Sequence, residues 1–255
     1  MDSAIALTIR QFSRATFRAV QNGRSALIRV NTGLKRVSTD RGAIEIGPGS
    51  LAVMAPLTAM TIENAPEAAA PYSAQLLIIP EDLAHSVRAE VGDGDPLRTT
   101  CRARILAAFD RAVTYAQDRQ VPERLKSHAV REVLLWLGEE GIGFGRPRLP
   151  TLSDRLRALI AAEPDRDWRA EAAARALAVS EPTLRRHLAV EGTSFTTLLA
   201  DVRMGAALAL LQSSDLAVNR IALDVGYACP SRFAVRFRKR FGLSPSAIRA
   251  ETAPV

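Results

Sequence analysis

Five cationic side chains crowd residues 230–241, the stretch PSRFAVRFRKRF near the C-terminal end. They are Arg232, Arg236, Arg238, Lys239 and Arg240. Such groups bind phosphate oxygens, and an arginine can also donate two parallel hydrogen bonds to O6 and N7 of guanine. Phe233 and Phe237 stand four residues apart, which predicts a helix with one apolar face and a cationic surface around the rest of it. The chemistry that this stretch indicates is nucleic-acid binding.

The residues around this helix predict a helix-turn-helix. A short apolar helix over 221–225 comes first, and Gly226 follows where the chain needs a residue that tolerates positive φ. Pro230 suits the first turn of the second helix, and Gly242 suits its end. Ser244-Pro245 then predicts the capped start of a further helix. In such a motif the second helix lies in the major groove of DNA.

These motifs resemble those of the AraC/XylS family of transcription regulators. The matching residues are Ile221-Ala222, Gly226-Tyr227, Ser231-Arg232-Phe233, Phe237-Arg238-Lys239, Phe241-Gly242, Ser244-Pro245 and Arg249. Two positions depart from the family pattern: Val235 stands where a base-reading arginine is usual, and Ile248 where an aromatic residue is usual. The resemblance implies a DNA-binding domain over 151–255 with two helix-turn-helix motifs, preceded by a small cupin-like barrel that senses a ligand.

The sequence itself contains the duplication. Apolar positions recur with an offset of 48 residues before the turn and 49 after it: Leu177, Val179, Leu184 and Leu188 return as Val225, Tyr227, Phe233 and Phe237. The first copy is predicted as helices over 169–177 and 181–190, after a helix over 152–162, and a long helix over 195–211 links the copies. Two such motifs on one chain can enter successive major grooves about 34 Å apart.

Eleven residues on the two second helices are predicted to contact DNA. They are Glu181, Thr183, Arg185, Arg186, Ser231, Arg232, Val235, Arg236, Arg238, Lys239 and Arg240. Arg185, Arg186, Arg232 and Arg236 are expected to reach bases or the backbone, and Glu181 and Thr183 a cytosine or a phosphate. Val235 can make only an apolar contact, for example with a thymine methyl group. The last three cations are expected to bind phosphates, and a solvated surface charge remains the alternative for any single arginine.

The rest of the chain predicts an α+β fold. Apolar or alternating runs over 26–30, 43–46, 51–54 and 74–79, separated by Gly, Pro and Asn turns, indicate a small antiparallel barrel or sandwich. Amphipathic helices are predicted over 97–117 and 123–140, the second with Leu125, Val130, Val133, Leu134 and Leu137 facing inward. The predicted domains are a cupin-like sensor (1–92), a helical pair that forms a dimer interface or packs on the barrel (93–140), a Gly/Pro linker (141–150) and the DNA-binding domain (151–255).

The first 41 residues are unexpectedly basic, with eight Lys and Arg against two acidic residues, whereas residues 42–100 have two against eight. Arg10, Arg14 and Arg18 are spaced four apart and would share a face on a helix or a strand. Paired guanidiniums suit phosphate, and Arg14-x-x-x-Arg18 resembles the RxxxR element with which PilZ-type proteins bind cyclic di-GMP. We therefore predict an effector site at these arginines for cyclic di-GMP or another phosphate-bearing molecule. Two alternatives stay open: these arginines are solvated or salt-bridged surface residues, or they make an auxiliary contact with DNA.

Several function classes are disfavoured by the sequence. There is no nucleophile elbow, phosphate loop or His-Glu-x-x-His motif, so we predict no catalytic residues, and the two cysteines and three histidines lack metal-ligand spacing. The apolar runs are too short for a membrane span and no signal peptide is evident, so we expect a cytoplasmic protein.

Together these features predict a sequence-specific DNA-binding transcription regulator, expected to be an activator, with an effector bound to the N-terminal domain. Its predicted partners are double-stranded DNA, RNA polymerase and a second copy of the chain. Two alternatives stay open: an effector-independent, fatty-acid-responsive or other small-molecule-responsive regulator of the same family, and a non-catalytic nucleotide sensor that acts through protein partners.

Overall fold

The computed structural model describes residues 3–21, 23–56, 58–68, 70–86, 98–144 and 149–249. The chain divides into two compact units, the first built from residues up to Arg148 and the second spanning Leu149–Arg249. The division falls inside the predicted Gly/Pro linker.

The described residues of unit 1 form nine strands in two antiparallel sheets. The strands are β1 (Ile5–Gln11), β2 (Ala15–Gln21), β3 (Ala26–Thr32), β4 (Leu34–Thr39), β5 (Gly42–Ile46), β6 (Leu51–Met54), β7 (Ala59–Ala65), β8 (Tyr72–Ile78) and β9 (Thr99–Thr100). One sheet has the order β1-β8-β3-β6-β9 and the other β2-β7-β4-β5. All four predicted strands are present, and the predicted antiparallel β-domain is confirmed. The sequence analysis missed β1, β2, β4, β7 and β9.

Both faces of the five-stranded sheet are covered. Leu27 and Leu77 are register partners on one face, where they share an apolar core with two helices, α2 (Ala103–Gln117) and α3 (Glu123–Glu139). Because side chains alternate along a strand, Ile28 and Val30 point to the opposite face, towards the four-stranded sheet. A short helix, α1 (Glu81–Ala84), follows β8.

The helical pair differs from its prediction in two respects. The first helix begins at Ala103 rather than near residue 97, because Thr99–Thr100 pairs with β6 as an edge strand. In the second helix Leu125 is 44% exposed and does not face inward as predicted, whereas Val130, Val133, Leu134 and Leu137 are buried. These buried side chains pack on the five-stranded sheet, so the pair covers the β-domain.

Unit 2 is all helical. Its helices are α4 (Leu152–Ala162), α5 (Ala170–Ala176), α6 (Glu181–Val190), α7 (Phe195–Ser213), α8 (Val218–Asp224), α9 (Pro230–Phe241) and α10 (Pro245–Arg249). Serine or threonine caps begin several of them, as Thr151 does for α4 and Ser194 for α7. The predicted boundaries are confirmed to within two residues, except that α8 begins three residues before its predicted start. By length and composition α7 could cross a membrane, but Leu198, Met204 and Leu208 are buried within the unit.

Candidate nucleic-acid interface

The first helix-turn-helix of unit 2 consists of α5 and α6. The turn between them places Ala178 in the left-handed region, at φ 57°. The N–H of Val179 returns to the carbonyl of Ala174 at 3.0 Å, which closes the end of α5. Ser180 then caps α6, because its Oγ accepts from the backbone N–H of Thr183 at 3.2 Å. This short, hydrogen-bonded turn fixes the direction of α6.

The second motif, α8 and α9, repeats that turn 48 residues later. Gly226 has φ 82°, and the N–H of Tyr227 donates to the carbonyl of Ala222 at 2.8 Å. A Cβ on Gly226 would lie 2.5 Å from Nη2 of Arg203 and 2.7 Å from the carbonyl oxygen of Pro164, so a close approach as well as the backbone conformation requires glycine. The duplication predicted from the sequence is therefore a repeated backbone geometry.

In α6 the predicted contact residues lie on the outer side. Leu184 and Leu188 are buried, and Arg185 and Arg186 are exposed. The guanidinium of Arg185 lies 2.5 Å from the carboxylate of Glu181 one turn earlier. Glu181 and Thr183 are half-buried at the start of the helix. An exposed i, i+4 ion pair contributes little to stability and is easily exchanged for a phosphate contact.

Helix α9 is the more cationic of the two. Phe233, Phe237 and Phe241 form its buried face, with ring centroids 5.7 and 4.8 Å apart in succession. The exposed side carries the remaining predicted contact residues: Ser231, Arg232, Val235, Arg236, Arg238 and Lys239. The apolar Val235 is 71% exposed in the middle of this cationic surface.

Arg240 does not fit its predicted role as a phosphate contact. Its Nε donates to Oδ1 of Asp201 in α7 at 2.9 Å, and its guanidinium lies 5.4 Å from the centre of the Phe241 ring. The side chain is largely buried by these contacts. Arg240 therefore joins α9 to α7, and its sequence neighbours Arg238 and Lys239 carry the exposed charge.

Two titratable groups sit beside the second turn. Burial raises the pKa of Tyr227, and the adjacent cations Arg236 and Arg203 partly oppose that effect. The hydrogen bond between Cys229 Sγ and Ser231 Oγ, 3.0 Å long, is the main cause that lowers the pKa of the Cys229 thiol at the start of α9. Tyr227 and Cys229 therefore place polar atoms close to Arg236 and Arg232.

Sequence reasoning assigned no structural role to two arginines that hold the motifs in place. Arg249 donates to backbone carbonyls at the end of α7, including Leu211 at 3.0 Å and Ser214 at 2.5 Å. Arg203 donates from Nε to the carbonyl of Pro164 at 2.9 Å, and its guanidinium lies 5.9 Å from the Tyr227 ring. The sequence signal for Arg249 was its place in the family pattern, whereas nothing in the periodicity of α7 distinguishes Arg203.

The three arginines proposed for an effector do not share one element. Arg10 is near the end of β1, Arg14 lies in the corner at residues 12–14, and Arg18 is in β2 of the other sheet. The prediction of a common helix or strand face is therefore wrong, because the chain turns between the sheets. All three are exposed, and Arg14 pairs with Glu63, Nη2 to Oε1 at 2.5 Å. That ion pair favours the salt-bridged alternative for Arg14.

Known proteins share the C-terminal motifs. Residues 173–251 match a family described as a helix-turn-helix domain. Over 94 residues the chain is 39% identical to the urease operon transcriptional activator of Escherichia coli, which covers 37% of this chain and 32% of that protein. Over 101 residues it is 35% identical to the HTH-type transcriptional regulator YdeO of E. coli K12, which covers 40% of each. The chain thus spans only about a third to two fifths of the length of these curated relatives.

The whole fold is similar to that of ToxT from Vibrio cholerae. The TM-score is 0.65 at 14% identity, over 96% of this chain and 97% of ToxT. One ToxT structure contains an unsaturated fatty acid, with a TM-score of 0.65 and 15% identity over 95% of this chain and 92% of ToxT. Another is bound to (E)-4-(8-methylnaphthalen-1-yl)but-3-enoic acid. At this level of identity the similarity shows a shared two-domain fold.

Proposed function

Because its C-terminal unit is an AraC/XylS-type DNA-binding domain with two helix-turn-helix motifs, we propose that the protein is a sequence-specific DNA-binding transcription regulator. The observation that carries the proposal is the repeated turn: Ala178 and Gly226 end equivalent helices in the same conformation. Each turn is followed by a helix with buried apolar residues and exposed arginines. We call α6 and α9 the recognition helices.

The exposed residues of the recognition helices are proposed to make two kinds of contact, with base edges and with phosphates. Arg185, Arg186, Arg232 and Arg236 project where a recognition helix meets base edges, and each good bidentate contact with guanine contributes about 1–3 kcal/mol of discrimination. Arg238 and Lys239, in the last turn of α9, are placed to bind phosphates, which positions the helix without specifying sequence. The proposed contact set also includes Glu181, Thr183, Ser231 and Val235. It no longer includes Arg240.

We further propose that the protein works as a homodimeric activator that contacts RNA polymerase. Leu125 and Leu135 support the dimer, because they are 44% and 54% exposed on the side of α3 that does not pack on the sheet. A contiguous apolar patch exposed to solvent is typical of a protein interface. Activation is proposed by analogy with the urease operon activator, whose C-terminal motifs this chain resembles.

For the effector we propose a small apolar acid acting on unit 1. The ToxT ligands are a fatty acid and a naphthalenyl butenoic acid, both carboxylic acids with apolar bodies. Cyclic di-GMP is less well supported, because Arg14 is paired with Glu63 and the turn at residues 12–14 separates Arg10 from Arg18. The remaining alternatives are an effector-independent regulator and a non-catalytic nucleotide sensor that acts through protein partners.

Gel-shift titration with promoter fragments tests the DNA-binding proposal. Wild-type protein should select one fragment, and log K should fall linearly with log salt as counterions are released. Replacing Arg238 and Lys239 by alanine should weaken binding to all sequences and reduce the salt slope by about two. Arg131→Ala is the matched control, because Arg131 is an exposed arginine of α3 in unit 1. Equal affinity for every fragment, or equal salt slopes for all three proteins, would refute the proposal.

A further inference from the structure

Four polar side chains are buried together at one end of the β-domain. They are Gln11, Lys35, Asn64 and Tyr72, which we call the Lys35 cluster. Lys35 is 3% exposed and Tyr72 is fully buried. Charged side chains are seldom buried without a paired charge, so this lysine needs an explanation.

Strand register explains how the two sheets bring the cluster together. Lys35 and Asn64 are register partners in β4 and β7 of one sheet, and Gln11 and Tyr72 are register partners in β1 and β8 of the other. Three of the connections between the sheets, at residues 12–14, at Gly33 and at residues 66–68 and 70–71, lie next to these four positions. The register of β3 against β8 shifts between Val30 and Thr32, at the same end of the domain.

The hydrogen bonds of the cluster leave a surplus of donors. Nζ of Lys35 donates to Oδ1 of Asn64 at 2.9 Å, and Nδ2 of Asn64 donates to Oε1 of Gln11 at 3.0 Å. Gln11 in turn donates to the carbonyl of Ser13 at 2.6 Å. The ammonium group has three donors, and the buried hydroxyl of Tyr72 has no hydrogen-bond partner among the residues described. The centre of the Tyr72 ring lies 5.7 Å from Nζ, so these two side chains are neighbours.

Among the described residues the cluster also has no negative charge to pair with Lys35. In the described part of the chain no carboxylate lies within ion-pair distance of Lys35, and burial alone lowers its pKa to about 7. Glu45 and Glu63 alternate to the opposite face of the sheet, where they pair with Arg36 and Arg14, and Glu67 accepts from the N–H of Gly33. Burial raises the pKa of Tyr72, which therefore stays protonated. The cluster thus lacks an acceptor, and in particular an anion.

The choice of lysine is informative. The chain contains 31 arginines and only three lysines, one of which is at this buried position. A guanidinium remains charged at any physiological pH, whereas a buried ammonium can lose its proton when the site is empty and regain it when an anion arrives.

We propose that the Lys35 cluster binds the carboxylate of a small apolar acid, and that binding protonates Lys35. The carboxylate would accept from Lys35 Nζ and Tyr72 Oη. The apolar body would lie among inward-facing side chains such as Phe17, Val30 and Val37, which are buried in the same domain. A single ammonium and a hydroxyl suit a monoanion, and none of the four residues of the cluster has a guanidinium, the group that binds phosphate oxygens bidentately. The regulatory consequence rests on the proposed function; the binding itself does not.

Isothermal titration calorimetry of the full chain tests the site with cis-9-hexadecenoate below its micellar concentration. The matched neutral probe is cis-9-hexadecen-1-ol, and cyclic di-GMP tests the phosphate alternative. Titration in two buffers with different ionisation enthalpies measures proton uptake. From a pKa of about 7 we expect uptake of about 0.9 proton per bound acid at pH 8 and about 0.1 at pH 6. Affinity should fall towards tenfold per pH unit above pH 7.

Three variants locate the site. Lys35→Met should abolish the proton uptake and weaken acid binding at least tenfold, Tyr72→Phe should weaken it without changing the uptake, and Lys126→Met should behave as wild type. Because proton uptake is measured on the wild type, the test holds even if Lys35→Met fails to fold. The proposal is overturned if the acid does not bind, if the alcohol binds equally well, if cyclic di-GMP binds instead, or if uptake is zero at pH 8.

The same samples separate this inference from the proposed function. If the acid does not bind while sequence-specific DNA binding is intact, the proposed Lys35 site is refuted and the proposed regulator function stands. If the acid binds but no sequence-specific DNA complex forms, the Lys35 site stands and the proposed regulator function is refuted.

Discussion

Ala178 and Gly226 occupy the same place in the two helix-turn-helix motifs and share one backbone conformation, with φ of 57° and 82°. The position follows the first helix of each motif, and the N–H of the next residue donates to a carbonyl five residues back. Glycine adopts this conformation without strain, whereas alanine pays about 1–2 kcal/mol for it. The two motifs therefore have the same geometry with different strain.

The exchange of these residues gives the first prediction. Ala178→Gly should stabilise unit 2 by about 0.5–1 kcal/mol, because the relief of strain exceeds the added entropy of the unfolded glycine. Gly226→Ala should cost more than about 2 kcal/mol, since its Cβ would also collide with Pro164 and Arg203. Urea unfolding followed by helical circular dichroism measures both. Destabilisation by Ala178→Gly would contradict this explanation of the turn.

Arg249 carries the second prediction. Its guanidinium binds carbonyls of Leu210, Leu211, Ser214 and Leu216 at the C-terminal end of α7. Arg249→Ala should cost about 2–4 kcal/mol of unfolding free energy, because charge-assisted hydrogen bonds are lost and carbonyls are left unpaired. Arg249→Lys should restore only part of this, and an unchanged urea midpoint for Arg249→Ala would exclude the role. Arg131→Ala serves as the control for loss of charge.

The pH dependence of unit 1 stability is the third prediction. The pKa of Lys35 is about 7 in the folded chain against about 10.5 unfolded, so between these values the unfolded chain binds more protons. Stability should therefore rise with pH from 7 towards 10, by up to about 1.4 kcal/mol per pH unit, while the full penalty of at most about 5 kcal/mol acts below pH 7.

Lys35→Met removes that titration. The unfolding free energy of the variant should change less with pH than that of wild type between pH 7 and 9. The variant should exceed wild type in stability most at pH 6, but by less than the full penalty, because Asn64 loses its hydrogen-bond donor. Urea unfolding at four pH values measures the slopes, and Lys126→Met should follow wild type. If the unfolding free energies of wild type and Lys35→Met changed equally with pH, the pKa of Lys35 would not be lowered by folding and the prediction would be wrong.

Val235 carries the fourth prediction. Its exposed apolar side chain on α9 is expected to contact a thymine methyl group. Replacing each thymine of the binding site by uracil, one at a time, should weaken wild-type binding at one position by about 0.8 kcal/mol or less, the value of one buried methyl group. Val235→Ala should lose sensitivity at that position alone. Uniform tolerance of uracil by the wild type would exclude the contact.

The helices of unit 2 could be predicted closely because local signals coincide there. The i, i+4 pairs Leu184/Leu188 and Phe233/Phe237 are all buried, and Ser180 caps α6. Arg240 could not be assigned, because its partner Asp201 lies 39 residues away in sequence and only the packing of α9 on α7 brings them together. Charge alone does not distinguish an arginine that binds phosphate from one that binds a neighbouring helix.

Unit 1 was predicted less completely for a related reason. Lys35 occupies an inward position of β4, but alternation cannot show that β1 and β8 close over it from the other sheet. Arg10, Arg14 and Arg18 were assigned to one face because their spacing is regular, and the corner at residues 12–14 breaks that regularity. Non-local pairing of strands decides both outcomes.

Footprinting on the fragment selected in gel shifts tests the central claim most directly. The account predicts that each bound chain protects two segments with centres about one helical turn, 10–10.5 base pairs, apart. The double variant Arg185→Ala/Arg186→Ala should lose protection of one segment, and Arg232→Ala/Arg236→Ala should lose the other. A single protected segment, or loss of the same segment in both variants, would contradict a chain that binds DNA through two recognition helices.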